Sequence, residues 1–349
     1  MILPLETFRG IFALIIVLHH LKIDTFIQKS NIVMNGGLVV DFFFVLSGFV
    51  ISLNYLDKIN SKKDLLNFQK KRFNRLYPLH LLTLFMFIII EIIKLIINNY
   101  TNLQSTYVPF SGFNNFYSLI ANFFLLHGWY GWSFNLPSWS ISTEFYTYLI
   151  FGLVVLFFNK RTAFFVFLIL FSLTVFLLNN SGLNFLENFI YPTRCIYSFF
   201  IGVITYLAFK KFKNNYSNYI SLILIVLCIL FISISDNFYL NNKYIIASIL
   251  FSLTIFFVSK LNQDSFLYKI LSNKFTVYLG SISYGIYMIH FGLVWFFRQF
   301  SRFFLNIGQD SENYLVFNKY YGETFTILFL IGLIILSHLS LKYFENKFR

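Results

Sequence analysis

The first apolar run of the chain carries an arginine near its start and two histidines at its end: Leu5-Glu6-Thr7-Phe8-Arg9-Gly10-Ile11-Phe12-Ala13-Leu14-Ile15-Ile16-Val17-Leu18-His19-His20. At about 100° per residue, the eleven steps from Arg9 to His20 turn an α-helix through about 1100°, close to three full turns. The run therefore predicts a helix with Arg9 and His20 on one face, about 16 Å apart along its axis, and with His19 about 80° away.

The composition indicates a membrane protein. Only 12% of the residues are charged and 58% are hydrophobic, whereas a soluble domain carries roughly 25% charged residues. Because long apolar runs recur from end to end, we predict an all-α, polytopic transmembrane bundle, with residues 1–349 forming a single domain. The first run holds Glu6 and Arg9 and lacks a small-residue cleavage site, so we expect a retained span rather than a signal peptide. Cys195 and Cys228 lie in apolar runs and are expected to pack as small hydrophobic residues.

Ten apolar segments have lengths near the roughly 17–25 residues that a helix needs to cross a bilayer, the first being marginal. They are residues 8–22, 37–56, 76–98, 137–158, 162–178, 191–209, 219–235, 243–259, 275–297 and 323–344. The apolar stretch from Ser118 to Trp129 is only about a dozen residues long, which favours a re-entrant or interfacial segment.

The placement of lysine and arginine supports this count, because cytoplasmic loops are enriched in both. If the N-terminus is inside, 19 of these residues fall in inner segments: Arg9, Lys58, Lys62, Lys63, Lys70, Lys71, Arg72, Arg75, Lys160, Arg161, Lys210, Lys211, Lys213, Lys260, Lys269, Lys274, Lys342, Lys347 and Arg349. Six fall in outer segments: Lys22, Lys29, Lys243, Arg298, Arg302 and Lys319. We therefore predict both termini in the cytoplasm, and we interpret the net charge of +13 as a topology signal rather than a nucleic-acid footprint.

Ionisable groups inside apolar helices are expensive and are candidates for function. Arg9 alone could snorkel to the headgroups, and His20 alone could face water, but their common face favours a site. Asp41, in Val39-Val40-Asp41-Phe42-Phe43-Phe44-Val45-Leu46-Ser47-Gly48-Phe49, could orient the His20 imidazole. It could equally be a helix cap or the partner of an arginine. Its face continues through Val45, Gly48 and Ser52, which would let a neighbouring helix approach closely.

Two further stretches carry polar groups in a helical pattern. Arg72 and Arg75 share a helical face at the cytoplasmic boundary, where guanidinium groups suit phosphates or simply anchor the helix. Pro78 beyond them indicates a kink or a helix start. Ser140, Thr143, Glu144, Thr147 and Tyr148 form one polar stripe, which should face the interior of the bundle.

Weaker candidates follow later in the chain. Arg194 lies at the outer end of its span, and Ser283, Tyr287 and His290 share a face. His290 should lie deep in the bilayer, where a neutral structural role competes with a functional one. We regard His80, His127 and His338 as isolated residues. No histidine pair has i, i+4 spacing and no cysteine cluster occurs, so we predict no metal site.

Together these motifs resemble the acyltransferase 3 family of membrane O-acyltransferases. The family's opening Leu-Asp-x-Leu-Arg-Gly and its later histidine resemble the segment from Arg9 to His20, with Glu6 where aspartate is usual. Its Gly-Val-Asp-Phe-Phe-Phe-Val-Leu-Ser-Gly-Phe resembles residues 39–49, with Val39 in place of glycine. The chain resembles the family at four further places: Arg72 and Arg75, Trp139 to Glu144, Arg194 to Gly202, and Ser283 to His290.

The resemblance implies transfer of an acyl group, usually acetyl from acetyl-CoA, to a hydroxyl of a cell-envelope glycan such as an O-antigen or exopolysaccharide. It also implies a bacterial cytoplasmic membrane location. Some members add an extracytoplasmic SGNH domain, which we do not expect here because the sequence ends after its last span.

The motifs and this resemblance together predict roles for individual residues. We expect Arg9, Arg72 and Arg75 to bind the coenzyme's phosphates, and His20, with Glu144 and Asp41, to perform the chemistry. The candidate substrate contacts are Arg194, Ser142, Tyr148 and His290. A transporter or flippase is the alternative, because it too would place charged residues inside helices.

Overall fold

The computed structural model describes residues 2–100, 108–130, 133–158, 161–180, 189–212, 218–237 and 242–348. Lys160, Lys213 and Arg349, which entered the charge count, lie outside these ranges. Fifteen α-helices occur in the described ranges: α1 (Leu3–Leu21), α2 (Asn31–Met34), α3 (Val39–Tyr55), α4 (Lys62–Tyr100), α5 (Phe116–Phe123), α6 (His127–Tyr130), α7 (Trp139–Phe157), α8 (Arg161–Asn180), α9 (Ile190–Lys211), α10 (Asn218–Ile234), α11 (Asn242–Ser259), α12 (Phe266–Leu271), α13 (Lys274–Ser281), α14 (Ser283–Phe304) and α15 (Lys319–Leu339).

The all-α, polytopic fold is confirmed. Eight helices among the described residues are long and apolar enough to cross a membrane: α1, α3, α4, α7, α8, α9, α11 and α15. The other two predicted spans coincide with α10, an apolar helix of 17 residues, and with the pair α13 and α14. The stretch from Ser118 to Trp129 forms only the short helices α5 and α6 and the turn between them, in agreement with its exclusion from the spans.

Two predicted spans differ from the structure in shape. The predicted helix over 275–297 is broken at Ile282, where α13 and α14 meet at a bend of 66°. Helix α4 begins 14 residues before the predicted span and continues through Pro78, so the proline does not start the helix. At 1.5 Å per residue its 39 residues extend about 58 Å, almost twice the hydrocarbon thickness. Its N-terminal part, with Arg72 and Arg75, therefore extends beyond one surface of the membrane.

The helix ends that the charge count assigns to one side also meet in the structure. On the inner side, Lys210 pairs with Asp57 at 2.7 Å, and Thr7 donates a hydrogen bond to the backbone oxygen of Leu271 at 2.6 Å. On the outer side, the backbone N–H of Leu315 donates to the oxygen of Lys22 at 2.9 Å. A reciprocal bond of 2.9 Å runs from the N–H of Asp24 to the oxygen of Leu315. The first helix is thereby fastened at both ends to segments from the last third of the chain.

Helices α3 and α9 cross with their backbones in contact. A Cβ added at Gly48 would lie 1.9 Å from the backbone oxygen of Phe199, and one added at Gly202 would lie 1.9 Å from that of Val45. Each glycine thus accommodates the other helix, as the small-residue face around Gly48 predicted. The main apolar core surrounds this crossing, while α8 and α10 expose large residues such as Leu170 and Ile223 on the outside, where lipid would cover them.

Candidate active site

The centre of the candidate site joins two histidines that are distant in sequence. His20, at the outer end of α1, faces His290 of α14 with ring centroids 5.2 Å apart and planes at 52°. His290 is fully buried. Its position beside His20 was not predicted, because the two residues belong to different motifs and no spacing rule connects them.

The hydrogen bonds of these rings define their tautomers. Nδ1 of His20 lies 2.9 Å from the backbone oxygen of Ile16, and Nδ1 of His290 lies 2.6 Å from that of Tyr287. Since a carbonyl oxygen only accepts hydrogen bonds, each neutral ring carries its hydrogen on Nδ1 and keeps a lone pair on Nε2. Within the described ranges, the buried Nε2 of His290 has no hydrogen-bond partner. Two basic nitrogens are therefore available in one buried place.

His19 points elsewhere, as the helical register predicted. Its Nδ1 lies 3.0 Å from the backbone oxygen of Val33, and a Cβ added at Gly36 would lie 2.9 Å from the Cβ of His19. The two neighbouring histidines thus serve different surroundings: His19 packs against the segment that leads into α3, whereas His20 faces α14.

A tyrosine connects this pair to the polar stripe of α7. The hydroxyl of Tyr287, one turn before His290, donates to the backbone oxygen of Pro137 at 2.6 Å. It lies 2.7 Å from Oγ of Ser140 and, with its hydrogen already used, accepts from that serine. The predicted stripe does face the interior, and its N-terminal end contacts the helix that carries His290.

Glu144 lies one turn further along the stripe. The Tyr148 hydroxyl donates to Oε1 of Glu144 and lies 2.8 Å from Oγ of Ser47 on α3. Arg72 and Arg75 are close enough to attract the Glu144 carboxylate electrostatically. The predicted donor-binding arginines and the predicted catalytic carboxylate thus belong to one polar region, in which Tyr148 orients Glu144.

Asp41 and Arg194 form a buried ion pair, which changes the interpretation of Asp41. Nε of Arg194 lies 2.9 Å from Oδ1, Nη2 lies 2.6 Å from Oδ2, and Ser198 adds a hydrogen bond of 3.3 Å to Oδ1. The guanidinium also packs 3.9 Å from the centroid of the Tyr244 ring. Because Arg194 occupies the carboxylate, we replace the hypothesis that Asp41 orients His20 with the alternative of an arginine partner. Arg194 is held by this ion pair, and its predicted contact with the substrate stays a prediction.

Ser142 has a packing role, and its predicted substrate contact stays a prediction. It is fully buried. Its hydroxyl donates to the backbone oxygen of Leu125 and accepts from the N–H of Gly128 at 3.0 Å. These bonds hold the segment from Ser118 to Trp129 against α7.

A second histidine pair was missed in the sequence. His80 and His127 are fully buried and stack with ring centroids 5.1 Å apart and planes at 4°. Nε2 of His80 lies 3.0 Å from the backbone oxygen of Asn122, and Nε2 of His127 lies 3.0 Å from that of Ser138. The prediction that they stand alone is wrong, since together they dock the re-entrant segment on α4 and on the start of α7. Cys195 and Cys228 are buried and form no disulfide bond, as predicted.

The three predicted phosphate-binding arginines have different surroundings. Nη1 of Arg9 lies 2.8 and 3.1 Å from the two carboxylate oxygens of Glu6, so its charge is already neutralised. Nη2 of Arg72 donates to the Tyr55 hydroxyl at 3.2 Å. This partner is neutral, so the contact does not neutralise the positive charge of Arg72. Arg75 lies one turn further along α4 and acts on Glu144. Among the described residues, no cluster of three or more histidine, cysteine, aspartate or glutamate side chains could hold a metal ion.

Comparisons with known proteins agree with this arrangement. A family model described as "Acyltransferase domain" matches residues 3–342, nearly the whole chain. Among curated proteins, the Acyltransferase MdmB of Streptomyces mycarofaciens is 34% identical over 123 residues, which is 34% of this chain and 28% of that relative. The aligned part thus spans less than a third of the relative's length. No solved structure matches the chain.

The family match includes every motif that contributes to the polar interior, from the first helix to His290. It supports an enzyme and leaves the transporter alternative without support. Combined with the apolar helices, it indicates a multi-pass membrane protein. The chain belongs to the acyltransferase 3 family.

Proposed function

We propose that this protein transfers an acyl group from acyl-CoA on the cytoplasmic side to a hydroxyl of a cell-envelope glycan, with His20 as the general base. The observation that carries the proposal is the contact between the partly buried His20 and the buried His290, whose ring centroids lie 5.2 Å apart, with Nδ1 of each ring bonded to a backbone oxygen. A glycan such as an O-antigen or exopolysaccharide, and a bacterial cytoplasmic membrane, follow from the family resemblance.

The reaction moves one proton from the acceptor hydroxyl to His20 and then from His20 to the leaving sulfur. Nε2 of His20 takes the proton of the acceptor hydroxyl while the oxygen attacks the thioester carbonyl carbon. The tetrahedral intermediate then expels the coenzyme A thiolate, and His20 returns the proton to the sulfur. The Nδ1 bond to the backbone oxygen of Ile16 holds the tautomer that this role requires. In the alternative, His20 attacks the thioester first and carries the acyl group transiently.

A polar path through the bundle supports a donor that enters from the cytoplasm. It begins at Arg72 and Arg75, which suit phosphate groups, and passes Glu144. One turn away, Ser140 contacts Tyr287, which lies one turn from His290. On this route the coenzyme's phosphates stay with the arginines of α4 while its thioester reaches the histidine pair. Arg9 contributes less than Arg72, because Glu6 already neutralises it.

The test compares His20→Ala with His19→Ala in purified protein supplied with acetyl-CoA and envelope extract from a deletion strain. Because a general base contributes about 10²–10⁴-fold, His20→Ala should reduce the release of free coenzyme A thiol by that factor. His19→Ala removes the same chemical group from the neighbouring position and serves as the matched control. Both variants should elute from size exclusion like the wild type.

Two results would contradict the proposal: full activity in His20→Ala, or inactivity in His19→Ala alone. Mass spectrometry of surface glycans from the deletion strain then tests the acceptor. A lost acyl mass increment identifies both the acyl group and the glycan, whereas an unchanged glycan profile argues against a glycan acceptor.

A further inference from the structure

The apolar neighbour of the His20 imidazole suggests how the enzyme selects its acyl group. The ring of Phe291 stands at 87° to that of His20, with centroids 5.7 Å apart. The other two rings in contact with His20 belong to His19 and His290. Phe291 is therefore the apolar member of these ring contacts.

The ring of Phe291 packs against α4. Phe87 of α4 lies 6.1 Å from Phe291, centroid to centroid, and belongs to a buried cluster with Leu84, Ile90 and Phe134. The next residue, Gly292, presses on α4 so closely that a Cβ there would lie 1.8 Å from Cε of Met86. The terminal methyl group of Met86 can move, whereas the buried cluster around Phe87 is close-packed and accommodates an extra methylene group only with strain. Phe291 itself is only half-buried, so part of its ring remains accessible.

The chemistry brings the acyl group to this ring. The acceptor oxygen must lie about 2.6–3.2 Å from Nε2 of His20, and the thioester carbonyl carbon about 3–3.5 Å from that oxygen. The acyl chain then begins within about 6 Å of Nε2, a distance comparable with the separation of the His20 and Phe291 rings. An apolar chain packs against an apolar wall in preference to the polar histidine rings.

We propose that Phe291 limits the donor to short acyl groups of about two or three carbons by closing the acyl side of the His20 site. This inference rests on the proposed function of His20. Removal of the Phe291 ring should open space towards Phe87 and admit longer chains, whereas the acetyl group should still react.

The test measures kcat/KM for acetyl-, propionyl-, butyryl- and hexanoyl-CoA with the same envelope extract from the deletion strain. One methylene in an apolar pocket changes discrimination by about 10–200-fold. In Phe291→Ala, the butyryl-to-acetyl ratio should therefore rise by about tenfold or more, and Phe291→Leu should give an intermediate ratio. Phe296→Ala is the matched control, because this residue lies on the same helix but is 63% exposed; its ratio should stay at the wild-type value.

The inference is overturned if the wild type already prefers hexanoyl-CoA, or if the ratio is unchanged in both Phe291 variants. It is also overturned if every donor loses activity equally, because Phe291 would then only support His20. If Phe291→Ala does not fold, Phe291→Leu decides alone. Failure of the proposed function looks different: His20→Ala would keep full activity, whatever the chain-length profile of the Phe291 variants.

Discussion

Asparagine in place of Asp41 should destabilise the bundle more than removal of both members of the Asp41–Arg194 pair. Asp41 is fully buried and Arg194 is 6% exposed, and their closest atoms are 2.6 Å apart. Asp41→Asn leaves the guanidinium buried without a counter-charge, which costs about 3–5 kcal/mol. Asp41→Leu combined with Arg194→Met removes both charges and should be far less destabilising, since apolar replacement of a buried pair is often neutral or better.

Thermal unfolding in detergent, followed by fluorescence-detected size exclusion, measures this order of stabilities. The matched control is Asp57→Asn, which breaks the ion pair with Lys210 at a similar distance of 2.7 Å. Both side chains of that pair are more than half exposed, so the change should leave the stability near that of the wild type.

The reasoning would be refuted if Asp41→Asn and the double variant were equally unstable, because the buried unpaired charge would then not be the cause. A double variant as stable as the wild type but inactive would have another meaning. Arg194 would then act on a substrate after all, as the sequence suggested.

Two further variants test how the helices are held together. In Gly48→Ala the new Cβ would lie 1.9 Å from the backbone oxygen of Phe199, so the free energy of unfolding should fall by about 1–3 kcal/mol, with a lower unfolding temperature. The control is Gly37→Ala, which has no atom within 4 Å of its new Cβ and should unfold like the wild type. Ser142→Ala deprives the buried N–H of Gly128 of its acceptor and should cost about 1–3 kcal/mol of stability without changing the acceptor KM. A raised KM at unchanged stability would restore the substrate-contact hypothesis for this serine.

The spans could be predicted because a bilayer dictates both their length and their composition. Each predicted segment coincides with a helix or, at 275–297, with a bent pair. The N-terminal part of α4 could not be found in this way, because the polar residues from Lys62 to Arg75 carry no hydropathy signal. The bend at Ile282 was equally invisible, since hydropathy is insensitive to the direction of a helix axis.

Faces of single helices were predicted well, and contacts between helices were not. The register that separates His20 from His19 and the stripe that includes Glu144 depend on periodicity within one helix. The partner of Asp41 depends on packing between α3 and α9, and periodicity left the choice between a histidine and an arginine open. The contact between His290 and His20 also depends on packing between helices. The two residues are 270 positions apart in the sequence, and only the assembled bundle brings their rings together.

The fastening of the first helix has a consequence for biosynthesis. The segment after its C-terminal end is hydrogen-bonded to Leu315 and its N-terminal end to Leu271. Both contacts can form only after the last third of the chain has been synthesised. A ribosome that has delivered only the first half of the sequence has already placed His20 in the membrane, but without His290 or Phe291. Such a nascent chain lacks both α14 rings that His20 contacts in the folded protein. The site that the proposed function requires is therefore assembled only after the last third of the chain has been made.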